Sequence, residues 1–357
     1  MNTLNYFVSN CLTMEMADDL SSRSMFMTVL EAGLMIVFNI LSLFGNILVC
    51  ISVYRNTRLR TTTNLYIIAL ALSDLLSTIF VMPLATGVLI SGGWPFSETI
   101  CQMHAFFSVF VVYISPVTMG LTALNRYVRI CKSDLLYKKL FSRRNSLILL
   151  AFAWTFIATY ILIIRLAGFQ EFRFVPGYAA CLNDHLSELG RTVHYVIVIG
   201  LFVILPLAVT IFSYRKVFRK IRQHNIEVAQ DLQRQEGNLP VSSHEIGICR
   251  SLFVIVFAFM LCWLPAWIIT ILKRLHIVAK IPRNVELLCA FCLSFSNTIN
   301  PFIYAGMNPM FRKEFFVILR CQSGQSVQGI PDERTVASLT RVSRETENSA
   351  SRQRPIT

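Results

Sequence analysis

The chain is poor in charge. Of its 357 residues only 15% are Asp, Glu, Lys or Arg, whereas soluble domains carry about 25%. It lacks the spacing of Cys and His that marks a structural or catalytic zinc site, and it lacks a nucleophile with a base beside it. No catalytic residue and no metal site are therefore expected, and the chain is not expected to be an enzyme. No Asn-x-Ser/Thr sequon occurs, so N-glycosylation is not expected. No internal repeat of the kind found in many transporters is visible. The first twenty residues contain neither a basic n-region nor an apolar h-region, and Glu15, Asp18 and Asp19 lie among them. The expectation is that the first apolar run itself anchors the chain.

What the sequence does hold is apolar length. Hydrophobic residues make up 54% and gather in seven runs, near 26–54, 63–90, 100–130, 146–168, 192–214, 248–272 and 284–305. A helix needs about 20 apolar residues to cross a hydrocarbon core of about 30 Å. Lipid satisfies no backbone polar group, and these runs do not alternate as barrel strands do, so helices are expected. The sequence thus predicts an all-α membrane protein, a seven-transmembrane helix bundle. With seven spans the termini lie on opposite sides. Placing the N-terminus outside puts 25 of the 33 Lys and Arg residues inside and 8 outside, which the positive-inside rule favours. The net charge of +13 is explained by attraction to anionic lipid of the inner leaflet, and no nucleic-acid partner is expected.

The expected organisation is an extracellular N-terminus over 1–25, the membrane domain over 26–306, a short amphipathic eighth helix on the membrane surface over 307–321, and a disordered cytoplasmic tail over 322–357. In "NPMFRKEFFVILRC", Phe311, Phe315, Phe316 and Leu319 recur at helical spacing. Cys321 is a candidate for lipidation.

Polar residues within the spans carry most of the functional signal, because each is costly in lipid. Asp74, in "LALSDLL", reads as the only acid deep within a span. Candidate neighbours are Asn46, Ser115, Ser296, Asn297 and Asn300, forming either a satisfied structural carboxylate or a site for a monovalent cation. Pro206, Pro265 and Pro301 interrupt spans five, six and seven, as static kinks or as hinges. Trp263 sits two residues before Pro265. Cys101 and Cys181 both fall on the outer side, where a disulfide is chemically permitted, and so does Cys11. Arg126 ends span three; Glu245, just before span six, is a candidate mate.

Taken in order, "GNILV", "LALSD", Cys101, "NRY" (Asn125, Arg126, Tyr127), Trp154, Pro206 with Tyr214, "CWLP" and "NPFIY" resemble the rhodopsin-like (class A) G-protein-coupled receptors. The resemblance covers about residues 26–320 and is nearest to the melatonin receptors, which share the Asn of the triplet and the pattern that follows it. It implies a receptor at the plasma membrane that binds an extracellular ligand and activates a heterotrimeric G protein. It also implies arrestin and receptor kinases as further partners. By position it implies a sodium site at Asp74, Ser115, Ser296, Asn297 and Asn300, and a disulfide between Cys101 and Cys181. Trp263 becomes a toggle above Phe259, and Arg126, Tyr214 and Tyr304 become residues that rearrange on activation.

Departures from the pattern bear on the ligand. Where melatonin receptors have a ligand-contacting Asn and Gln this chain has Ile164 and His185, which disfavours melatonin itself. Pro301 stands where they have Ala. Ser108 replaces the amine-binding Asp, which disfavours a biogenic amine, and Ser294 replaces the Schiff-base Lys of opsins, which disfavours a retinal pigment. Ser108, Ile164, His185, Trp263 and Ser294 form the expected ligand pocket. The third outer loop, with Lys273, Arg274, His276, Lys280 and Arg283, is basic, so a neuropeptide or an acidic small molecule is the alternative ligand class. The resemblance to melatonin receptors implies an inhibitory G protein, which lowers cyclic AMP, as the partner. A transporter or channel is the remote alternative.

Overall fold

A computed structural model of the chain describes residues 14–185, 187–234, 243–274, 277–278 and 281–320, with side chains given except at 185, 188, 224–252 and 274. Seven of its helices are long and apolar enough to cross a membrane: Met25–Arg55, Thr62–Ser91, Glu98–Cys131, Arg143–Leu166, Leu189–Gln223, Phe253–Lys273 and Arg283–Met307. They are numbered here as spans one to seven. The seven runs read from the sequence coincide with them.

Burial ranks the helices. Of the most apolar window of span three, 72% is buried, against 17% for span four. Span three is thus the central pillar, and span four turns most of its surface outward. Span one buries a narrow stripe, Ala32, Met35, Ser42, Asn46, Val49 and Val53, and exposes apolar residues such as Val37, Ile40 and Phe44 on its other faces. In water this would be a fault; in lipid it is the expected surface.

Helix ends follow local chemistry. Ser24, Ser97 and Ser142 each accept a hydrogen bond from the backbone N–H three residues on, capping spans one, three and four. Two departures from regular helix were not anticipated. Span two breaks at Val81, just before Pro83, and ends at Gly92 in the left-handed conformation. Span five passes through a π-helical segment, Ile199–Ile204, that ends two residues before Pro206. Proline cannot donate to the preceding turn, and the wider segment absorbs that loss.

Pro301 shows how such a loss is made good. It removes the helix donor of the Asn297 carbonyl. Asn46 Nδ2 donates to that oxygen at 3.0 Å and Ser42 Oγ at 3.2 Å. The helices must come close for this. A Cβ on Gly45 would meet Pro301 Cγ at 2.7 Å, so the glycine of "GNILV" is required by the proline of "NPFIY". Replacing Asn46 by leucine leaves the freed carbonyl underserved. It should cost about 1–3 kcal/mol, read as a lowered thermal midpoint of the purified protein; an unaltered midpoint would contradict the pairing.

The all-α expectation gains one addition. After span four the chain forms a two-stranded antiparallel hairpin, β1 (Gln170–Val175) with β2 (Ala180–His185), in which Phe174 faces Cys181. Cys181 is disulfide-bonded to Cys101 at the start of span three, with Cα atoms 5.5 Å apart. The hairpin is therefore fixed to the central helix. A short helix, Asp134–Leu140, lies between spans three and four. The expected amphipathic helix after span seven runs Pro309–Leu319. Phe311 and Phe315 are buried in the same apolar cluster as Tyr214, Phe259, Trp263 and Tyr304. By compactness the chain divides after Phe315, and of the second unit only the end of this helix is described, where Phe316 is exposed. Cys11, Cys321 and the tail lie outside the described residues.

Candidate functional site

The candidate residues occupy three levels along the bundle. Toward the end away from the hairpin, the last two turns of span three hold Asn125 and Arg126, both buried. Asn125 bridges two elements: its Oδ1 accepts from Thr63 Oγ1 of span two at 3.1 Å, and its Nδ2 donates to Tyr137 OH of the short helix at 3.4 Å. Tyr127 packs edge-on against Phe212 of span five, Tyr214 lies against Phe253, and Tyr304 stacks on Phe311 with ring centres 5.4 Å apart. The side chain of Glu245 lies outside the described residues, and with it the expected pairing to Arg126.

The middle level is a polar network in an apolar bundle. Asp74 is buried, and its Oδ2 accepts from Asn300 Nδ2 at 2.9 Å. Asn297 Nδ2 donates to Ser77 Oγ at 2.8 Å, and Trp263 Nε1 donates to Ser296 Oγ at 3.1 Å. Of the five residues grouped from the sequence, only Asn300 bonds Asp74 directly. Ser296 serves Trp263 and Asn297 serves Ser77. Ser115 Oγ and Asn46 Oδ1 are buried with no hydrogen-bond partner among the described protein atoms. A carboxylate with spare oxygens of this kind is the donor set of a hard cation, so the residues present fit a sodium ion. Trp263 stacks on Phe259 at 4.6 Å. It is thus joined to the preceding turn of its own helix by its ring and to span seven by its N–H.

The third level is a cavity of about 420 Å³ under the hairpin. Every span but the fourth lines it together with the hairpin, and Trp263, Ser77 and Asn297 are among its lining residues, so it reaches down to the polar network. Three of the pocket candidates, Ser108, Trp263 and Ser294, line it. Ile164 does not, since span four contributes no lining residue. The side chain of His185 is outside the described residues, while its strand neighbours Leu182, Asn183 and Asp184 do line the cavity.

Two histidines the sequence reading passed over bond to residues of the cavity wall, His104 to Val81 and His194 to Tyr113 and Asn183. His104 receives the Cys181 N–H on Nδ1 at 3.2 Å, so Nε2 carries the proton and faces the Val81 carbonyl at 3.3 Å. It ties the hairpin to the break in span two. His194 lies between two phenols, with Tyr113 OH 3.2 Å from Nε2 and Tyr160 OH 3.1 Å from Nδ1, and Asn183 Nδ2 is 3.4 Å from Nε2. A single histidine in an apolar run was the available signal for each.

Asp74 is the acid deep within a span, but it is not the only buried acid. Glu286, in the first turn of span seven, is fully buried and ion-paired to Lys273. The fit is tight, because a Cβ on Gly177 of the hairpin turn would lie 1.8 Å from Glu286 Oε2. Tyr178 beside it has its phenol pushed above its ordinary value by burial. Glu31 pairs with Arg23 and, at 2.7 Å, with Arg283. Two cations of the basic third loop, Lys273 and Arg283, are thus already neutralised within the fold.

A family model described as "7 transmembrane receptor (rhodopsin family)" matches residues 45–304. Similar curated proteins include melatonin receptor type 1B-B of Danio rerio, 28% identical over 84% of this chain and 84% of that protein. Melatonin receptor type 1C of Xenopus laevis is 28% identical over 85% of this chain and 70% of its own length. Melatonin receptor type 1A of Ovis aries is 28% identical, with 85% and 80% covered.

Proposed function

The chain belongs to the rhodopsin family of seven-transmembrane receptors, and on that footing we propose how it works as a G-protein-coupled receptor. It is a multi-pass protein of the plasma membrane whose action is signalling rather than enzymatic catalysis. In the reading advanced here the hairpin end faces outside and the Arg126 end faces the cytosol. Residues 1–25 then form the outer terminus, 26–306 the receptor domain, 307–321 the surface helix and 322–357 the tail. A small molecule or peptide enters the cavity, and a G protein of the inhibitory class, lowering cyclic AMP, docks at the other end. Arrestin, receptor kinases and membrane lipids complete the set of partners.

One observation carries the mechanism. Trp263 lines the cavity, stacks on Phe259 and donates to Ser296. A ligand that displaces its ring breaks a stack in span six and a bond to span seven at once. With Pro265 two residues on, span six has a place to pivot. The shift passes to Tyr214 and Tyr304 through the shared apolar cluster and frees Arg126 to meet a Gα helix. Ligand and G protein favour the same state and so raise each other's affinity. A sodium ion at Asp74 would favour the other state.

The relatives are named as melatonin receptors, and indoles belong in the first screen, although Ile164 and His185 argue against melatonin. The acidic-ligand alternative loses part of its motive, since Lys273 and Arg283 are paired. The test is nucleotide exchange on inhibitory-class G protein by the purified receptor, screened against melatonin, other indoles, amidated peptides and small acids. The expected result is exchange above that of the G protein alone with at least one of them. Exchange only on a stimulatory-class G protein would overturn the coupling assignment.

A further inference from the structure

Three lysines gather at the Arg126 end on the seam between spans three and five. Lys132 caps span three, and its Nζ stands 5.7 Å over the ring of Tyr127. Lys216 Nζ stands 5.8 Å over the ring of Phe212, and those two rings pack edge to face at 5.4 Å. Lys220 lies one turn beyond Lys216 on the same helix face as Phe212. All three ammonium groups are close enough to the Cys131 thiol to act on it electrostatically.

Like charges drawn together repel unless something negative joins them. Among the described residues none of the three is ion-paired, and Asp134 nearby is held by Arg129 at 3.1 Å. All three side chains are exposed, and Phe212, one turn deeper in span five, is half exposed on the outer surface of the bundle. An aromatic ring that faces lipid, with cations stacked toward the end of its helix, is the arrangement met at the boundary between acyl chains and headgroups.

We propose that this seam is a binding site for an anionic phospholipid, with its phosphates between Lys132, Lys216 and Lys220 and an acyl chain along Phe212. The proposal rests on the orientation given above, which puts the seam in the cytoplasmic leaflet. The lipid is preferred to a soluble phosphate because the apolar half of the site is usable only by a ligand that brings a chain. Because the two aromatic rings belong to spans three and five, the occupied site would brace those helices beside Arg126.

The test uses the full chain in neutral phosphatidylcholine nanodiscs, with retention of a fluorescent phosphatidylinositol bisphosphate as the readout. Each Lys→Gln change should weaken retention about fivefold, and the triple variant about a hundredfold. A triple Lys→Arg variant should retain the probe. The thermal midpoint should be unchanged, since the side chains are exposed. Undiminished retention by the triple Gln variant overturns the proposal. Competition by soluble inositol trisphosphate as effective as that by the lipid overturns the lipid assignment. Neither readout involves a G protein, so a failure of the receptor mechanism in the exchange assay would leave this result intact.

Discussion

Replacing Arg126 by alanine reduces nucleotide exchange, basal or ligand-driven, to the level of the G protein alone, while the protein still folds, inserts and forms its disulfide. Arg126 lies in the last two turns of the most buried span, and the residue is 3% exposed. Arginine stays charged at any accessible pH and offers a planar fork of donors. A buried fork at the mouth of the bundle is suited to meet carbonyls or a carboxylate terminus of an entering helix once the mouth opens. Arg126→Lys keeps the charge without the fork and should also fall well below wild type. If either variant exchanged nucleotide at the wild-type rate, the role assigned to Arg126 would be wrong. The neighbour sharpens the test. Asn125 is held by Thr63 and Tyr137 through two hydroxyls, and an aspartate can accept from both. Asn125→Asp should therefore be tolerated, place a negative charge beside Arg126, and lower basal exchange. Glu245→Ala should raise it.

The seven spans were legible because lipid imposes one rule on every helix, and a run of twenty apolar residues satisfies it visibly. The motif residues were legible because a polar or proline residue inside such a run stands out against its neighbours. The same contrast failed where partners decide the outcome. Glu286 and Lys273 sit near span ends, where charge is ordinary, so nothing in the sequence told that the hairpin turn would close over their pair. Asn297 and Ser296 were placed on the right level, yet which oxygen each would take depends on rotamers and on the carbonyl released by Pro301. The hairpin was missed because "QEFRFV" lies beyond the reach of periodic reasoning based on helices. Ile164 was assigned by position along its helix, and position does not fix whether span four reaches the cavity at all.

Asp74→Asn should abolish the sodium dependence of stability. An ion that binds the folded bundle and not the unfolded chain raises stability by RT ln(1 + [Na⁺]/Kd), about 1.4 kcal/mol at ten times Kd. For the wild type the thermal midpoint should therefore rise when N-methylglucamine chloride is replaced by sodium chloride at equal ionic strength. The asparagine keeps an acceptor for Asn300 Nδ2, so the network between spans two and seven survives, while the charge that attracts the cation is gone. The variant's midpoint should be the same in both salts. In the absence of sodium it should lie above the wild type's, because a buried carboxylate without a counter-ion is costlier than a neutral amide. A midpoint that still climbs with sodium in Asp74→Asn would place the ion elsewhere. Two flat responses, in wild type and variant alike, would leave Asp74 as a structural carboxylate whose work is done by Asn300.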